Sequence, residues 1–269
     1  MTAASAPLRV GRIVALNMYP VYHQLERADI PGVTFTDGLP TALNQAVLDG
    51  SLDVSAMSSI AFARNAHRLR LLPIGSVTAS GAVDSIRVFS RVPFDQITSV
   101  AVTPHSATSV ALLRILVGPD VTFSPLTVDP ADALSEVDGV LLIADEALHA
   151  FRDPFAPHST DLGELWRART GLPMVFAVWA VRREVVETHA DAIEAVSHVI
   201  RNAPDEHAKD SEAVVRAAAE RFDFPVPFIR RYFTRLSYGF GPTERKGLTR
   251  YLELAQSANE LLTVPALAA

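Results

Sequence analysis

Apolar positions recur through the first two thirds of the chain as short runs separated by stretches of helical period. The run Arg12 to Leu16 stops at Asn17-Met18-Tyr19-Pro20, and a helix is expected over Val21 to Glu26. Val33 to Thr36 reads as a second strand. Asp37-Gly38-Leu39-Pro40 turns into a helix over Thr41 to Asp49, where Leu43, Ala46, Val47 and Leu48 have helical spacing and Gly50 suits the stop. Leu52 to Met57 is short and mostly apolar, as a buried parallel strand would be, and Ser58 or Ser59 can cap a helix over Ile60 to His67. Leu71 to Val77 is a further apolar run. The small-residue loop Thr78 to Ser85 follows it, and then Ile86 to Ser90 alternates like a strand.

A second unit begins with a strand over Ile97 to Val102, the loop Thr103-Pro104-His105-Ser106-Ala107-Thr108-Ser109, and a helix over Val110 to Val117. Strands are expected over Val121 to Val128, Gly139 to Ala144 and Met174 to Val181, and helices over Asp132 to Val137 and Asp161 to Thr170. From Arg182 the strand signal disappears. Glu184 to Ile200, Asp205 to Arg221, Pro227 to Leu236 and Thr243 to Leu262 read as helices, separated by Pro204, Pro225 and the Gly239-Phe240-Gly241-Pro242 turn. The pattern implies an α/β protein of two lobes with a cleft between them. Residues 1–90 and the returning helices 182–269 form lobe I, residues 91–181 form lobe II, and short crossings fall near 90–95 and 180–183. A single continuous sheet is the competing architecture.

Composition narrows the chemistry. The 269 residues include no cysteine, which excludes disulfides, thiolate nucleophiles, iron–sulfur clusters and Cys-based zinc sites. The eight histidines show no metal-ligand spacing. No phosphate-binding G-x-x-x-x-G-K-[ST] loop, dinucleotide fingerprint or nucleophile elbow occurs, so no metal and no cofactor is expected. A net charge of −6 without a long Lys/Arg run argues against a nucleic-acid surface, and an anionic ligand would have to be held by local amides and hydroxyls. The polar tail Met1 to Pro7 lacks the pattern of a secretory signal, and no apolar run would span a bilayer, so a cytoplasmic protein without membrane contact is expected.

Two hydroxyl-rich helix entrances, Ser58-Ser59 and Ser106 to Ser109, each follow a strand. One such cluster is ordinary capping; two raise the prospect of a shared anion site. Asn17, at the carboxyl end of the first strand, either completes a turn or faces a ligand. The loop around Gly81 either lets a ligand approach the backbone or is a tight connection. Asp145 and Glu146 are either acid/base groups or helix-start carboxylates favoured by the dipole.

These segments, in their order and spacing, resemble the MqnA family. The resemblance rests on Leu16-Asn17-x-x-Pro20, Leu43-Asn44 through Gly50-x-Leu52-Asp53-Val54-Ser55-x-x-Ser58-Ser59, and Ser80-Gly81-x-Val83-x-Ser85. It rests further on Ser106-Ala107-Thr108-Ser109-Val110-x-Leu112-Leu113, Asp145-x-Ala147-Leu148, and Asp161-Leu162-Gly163-x-x-Trp166 onward to Trp179. The resemblance implies a two-lobed, periplasmic-binding-protein-like fold of type 2 with a central ligand cleft and a helical C-terminal segment. It also implies a lyase, chorismate dehydratase, which converts the dianion chorismate to 3-[(1-carboxyvinyl)oxy]benzoate and water on the futalosine route to menaquinone. Catalytic roles are then expected for Asn17 and Ser85. Substrate binding is expected at Ser58, Ser59, Gly81, Ser106, Thr108, Ser109 and Asp145. Ala144 stands where the family pattern leads one to expect glycine. Rival readings are 1,4-dihydroxy-6-naphthoate synthase, whose family opens on a Ser-Pro-Cys-Pro-Asn-Asp type motif absent here, a non-catalytic small-anion receptor, and the sensor domain of a regulator.

Overall fold

The computed structural model describes residues 6–267, so Met1 to Ser5 of the polar tail lie outside the described residues. Ten strands fall into two sheets of five, which replaces the alternative of one continuous sheet. The first sheet is built from β1 (Leu8–Ile13), β2 (Val33–Gly38), β3 (Val54–Ser58), β4 (Leu69–Ala79) and, late in the chain, β10 (Met174–Arg182), in the order β2-β1-β3-β10-β4. The second holds β5 (Ile86–Ser90), β6 (Ser99–Val102), β7 (Thr122–Pro125), β8 (Gly139–Ile143) and β9 (His158–Asp161), in the order β7-β6-β8-β5-β9.

The chain therefore changes sheet between β4 and β5 and returns between β9 and β10. The crossings expected near 90–95 and 180–183 lie earlier, and Ile86–Ser90 joins the second sheet while Met174–Arg182 joins the first. Local alternation of apolar residues marks a strand but carries no information about which sheet it joins. That choice is made by pairing partners: Ile86 opposite Ile143, and Ala177 between Ser58 and Val77.

In chain order the helices are α1 (Tyr19–Arg27), α2 (Pro40–Asp49), α3 (Ser59–Arg64), α4 (Ala107–Val117), α5 (Pro130–Ala133), α6 (Ala144–Arg152), α7 (Leu162–Thr170), α8 (Ala190–Lys209), α9 (Ser211–Arg221), α10 (Val226–Phe233) and α11 (Pro242–Ser257). Most match the apolar periods of the sequence, and α2 ends at Gly50 in the left-handed conformation that glycine accepts without strain. Three differences have physical causes. The first strand is read too late. Pairing with β2 runs from Leu8 to Ile13, and Leu16–Met18 form a 3-10 turn ahead of Pro20 in the first turn of α1. Pro204 does not break the chain but lies inside α8, and the break falls at Asp210, whose carboxylate caps α9 by accepting from the Ala213 N–H. The helix read at Asp132 to Val137 is instead the single turn α5, started by Pro130 and capped by Asp129.

One buried apolar core runs through both lobes, from Leu8, Val54 and Trp179 of the first sheet to Val88, Val100 and Leu141 of the second. Each such side chain contributes roughly 1.5–3 kcal/mol by leaving water. α11 covers the junction. Tyr251 meets Trp166 edge-on at 6.1 Å, the Trp166 indole N–H donates to the Pro173 carbonyl, and Gly247 sits so close to that carbonyl that no side chain fits there. A separate apolar cluster holds α9 and α10 against Leu16 and Tyr19 on one side and Leu148 on the other. Among the described residues no helix is long and apolar enough to cross a membrane.

Candidate active site

The direction of the strands brings the expected site residues to two facing edges. β1 runs parallel to β3, and β10 runs antiparallel to both β3 and β4, so the carboxyl ends of β1, β3 and β4 leave the first sheet on one side. Asn17 follows β1, Ser58 ends β3, Ser59 opens α3, and Gly81 follows β4. In the second sheet β6 and β8 are parallel and β5 is antiparallel to β8, so the start of β5 lies beside the end of β8. Ser85, Asp145 and the Ser106–Ser109 turn all stand at that edge. Strand-end crevices of this kind are where α/β folds gather ligands.

The two edges touch. The Leu16 N–H donates to Asp145 Oδ1 at 3.0 Å, and the Ile60 N–H donates to Thr108 Oγ1 at 3.2 Å. The second contact revises the expected capping. Ser58 occupies the N-cap position of α3 but makes no side-chain cap, so α3 takes its cap from the other lobe. The Ser58 hydroxyl instead lies 3.5 Å from the Asn44 side-chain nitrogen. Ser59 is fully buried and donates to the Val175 carbonyl at 2.7 Å, so its hydroxyl is committed to the fold rather than turned to a ligand as expected. Ser106 caps α4 by accepting from the Ser109 N–H, and its hydroxyl also donates to that of Ser109 at 2.8 Å. Thr108 adds its own carbonyl as acceptor for Tyr251 Oη at 3.1 Å.

Around Asn17 and Ser85 the backbone is unusually constrained. Ala144 has φ +52° and Asp84 φ +58°, both in the left-handed region. Ala144 thus holds a glycine-type conformation at the very position where glycine was expected. Its N–H donates to the Ser85 carbonyl at 2.8 Å, tying the turn before α6 to the crossing loop. Asp161 anchors that loop from beneath, accepting from the N–H groups of Val83, Asp84, Gly163 and Glu164. The Gly81 carbonyl lies where a Cβ on Gly163 would fall, at 2.5 Å, so Gly163 lets α7 close onto the loop. Burial pushes the Asp145 carboxyl above the ordinary aspartate range, opposed by the hydrogen bond from Leu16. The Asn17 side-chain oxygen is buried without a hydrogen-bond partner.

The C-terminal segment supplies residues that the sequence reading did not single out. Tyr238 Oη donates to the Asn17 carbonyl at 2.7 Å and so fixes the turn that carries it. Arg235 Nε lies 3.3 Å from Asp84 Oδ2. Tyr232 turns its hydroxyl toward Ser85. Arg235 and Tyr238 lie beyond the end of α10, and only the tertiary return of the last helices brings the three residues here. Among the described residues no group of three or more metal-ligating side chains could hold an ion. An open surface cavity of about 550 Å³ lies elsewhere, over Ala63, His67 and Leu261.

Comparison with known proteins agrees with this arrangement. Residues 8–257 match a family model described as menaquinone biosynthesis. A chorismate dehydratase of Thermus thermophilus is 32% identical over 88% of this chain and 91% of its own length. One of Campylobacter jejuni is 25% identical over 93% of this chain and 98% of its own. In overall shape the chain is similar to a crystal structure from Archaeoglobus fulgidus (TM-score 0.75, 18% identity, covering 96% of this chain and 100% of that one). It is also similar to the alkanesulfonate-binding protein of Xanthomonas axonopodis pv. citri (TM-score 0.68, 17% identity, 99% and 97%). The fold is thus periplasmic-binding-protein-like, and the chain belongs to the menaquinone-biosynthesis family whose model it matches.

Proposed function

We propose that this protein is a chorismate dehydratase, a carbon–oxygen lyase that releases water from chorismate to give 3-[(1-carboxyvinyl)oxy]benzoate. The observation that carries the reading is the likeness over nearly the whole length to two chorismate dehydratases. The convergence of Asn17, Ser85 and Asp145 on facing strand ends supports it. The elimination breaks the ring C–OH bond and removes the hydrogen from the neighbouring carbon that bears the enolpyruvyl ether. Because the product ring is aromatic, the driving force lies in the substrate. The protein's task is to hold one conformer and keep competing pericyclic routes closed.

Asn17 binds the leaving hydroxyl through its side-chain amide, whose oxygen has no internal partner. Ser85 holds a substrate oxygen from the opposite edge. The substrate's own enolpyruvyl carboxylate takes the proton; the histidines nearest these edges, His105 before Ser106 and His149 in α6, form no hydrogen bond with Asn17, Ser85 or Asp145 among the described residues. The reading makes the partner a dissolved small dianion and places the protein in the cytoplasm.

Incubating the purified protein with chorismate and following the aromatic product by chromatography and mass spectrometry tests the reading. Catalytic conversion with one water released per product is expected. Stoichiometric binding without conversion would replace it with the non-catalytic receptor.

A further inference from the structure

Tyr232 is buried beside Ser85 with its hydroxyl unpaired. The residue is 1% exposed, in the last turn of α10, and its ring packs in the apolar cluster with Leu16 and Leu148, the neighbours in sequence of Asn17 and the Asp145 turn. Phe228 stacks on it at 6.4 Å, so the ring is held from below. The hydroxyl faces Ser85, with Asp145 and Asp84 nearby, yet it meets hydrogen-bond geometry with no group among the described residues. A buried hydroxyl left unpaired is costly, and native folds keep few of them without a use. Burial drives this phenol's pKa up, so it stays protonated and able to donate. Two further unpartnered polar atoms stand at the facing edges, Asn17 Oδ1 and, beside Ser58, Asn44 Oδ1, both acceptors. Donor and acceptor thus come from opposite sides of the place where the two lobes meet.

We propose that Tyr232 is a substrate-binding residue whose phenol donates a hydrogen bond to an oxygen of the bound dianion beside Ser85. The inference rests on the chorismate reading and adds to it a donor from the C-terminal helices. A neutral donor suits this position, because Asp84 and Asp145 already place carboxylates around it. A hydrogen bond to a charged oxygen there corresponds to about ten- to a hundredfold in binding or rate.

The test is Tyr232→Phe in the full chain, with chorismate as the probe. Expected are a ligand-free melting temperature equal to or above that of the parent protein, a kcat/KM for chorismate about ten- to a hundredfold lower, and a smaller rise in melting temperature on adding chorismate. The ligand-free rise follows from deleting a hydroxyl that lacks a partner, and it separates binding from support of the fold. If Tyr232→Phe keeps kcat/KM within about twofold while the parent turns over chorismate, the inference is overturned and the chorismate reading stands. If the parent neither converts chorismate nor gains melting temperature from it, both fall.

Discussion

Ala144 shows how much a single residue can reveal. Its left-handed conformation, φ +52°, costs roughly 1–2 kcal/mol for a residue with a Cβ, whereas glycine carries an entropic cost of about 0.5–1 kcal/mol. Ala144→Gly should therefore stabilise the protein by about 0.5–1 kcal/mol, read as a higher denaturation midpoint in urea at unchanged slope. The sequence exposed this position only as a departure from a family pattern; the turn it strains depends on the Ser85 carbonyl, distant in the chain. Asn17→Ala should lower kcat about a hundredfold with KM changed only a few-fold, as for loss of a donor or acceptor used mainly in the transition state. Equal kcat would remove Asn17 from the chemistry. Asp145 adds a pH signature. Its carboxyl is shifted up by burial, so its contribution to stability is present at low pH and is lost as pH rises from the ordinary aspartate range through the elevated value. Asp145→Asn, which keeps an acceptor for the Leu16 N–H, should match the parent near pH 3 and become the more stable of the two by about pH 7, measured by denaturation across that range.

Among the elements, α3 is the informative case. Sequence alone placed two serines at its start, and both are there, but one hydroxyl contacts Asn44 and the other supports β10. Capping by Thr108 from α4 could not be read from spacing, because the donor and acceptor meet only when the lobes do. Thr108→Val, nearly equal in volume, should leave the Ile60 N–H unpaired and cost about 1–2 kcal/mol of stability. A value near zero would show that water replaces the hydroxyl. Pro204 teaches the converse lesson. A proline is a strong local stop signal, yet α8 continues through it because its apolar face is buried against α1 and β4. Most strands and helices were legible from period and punctuation, but β9 was not, because His158–Asp161 carries no apolar residue; caps, breaks and sheet membership were settled by contacts remote in sequence.

At the level of the whole molecule, the two-lobed α/β plan was legible, while the crossing points were not. Likewise Asn17, Ser85 and Asp145 could be picked out as residues beside strand ends, but the approach of Tyr232 to Ser85 and of Tyr238 to Asn17 could not, since nothing local distinguishes one buried tyrosine from another. The chain's net charge of −6 gives a further check on how a dianion is held. Long-range repulsion should weaken as salt screens it, so KM for chorismate should fall by roughly a factor of two between about 20 and 200 mM salt. A steep rise in KM would point to a cationic patch instead. The position of β10, between β3 and β4, has a consequence for biosynthesis. On the ribosome the first sheet has a gap between β3 and β4 until Met174 to Arg182 emerge, by which time every strand of the second sheet has been made. A nascent or truncated chain that stops short of them leaves the flanks of β3 and β4 open to other strands, so premature termination yields sticky fragments rather than a usable half-protein.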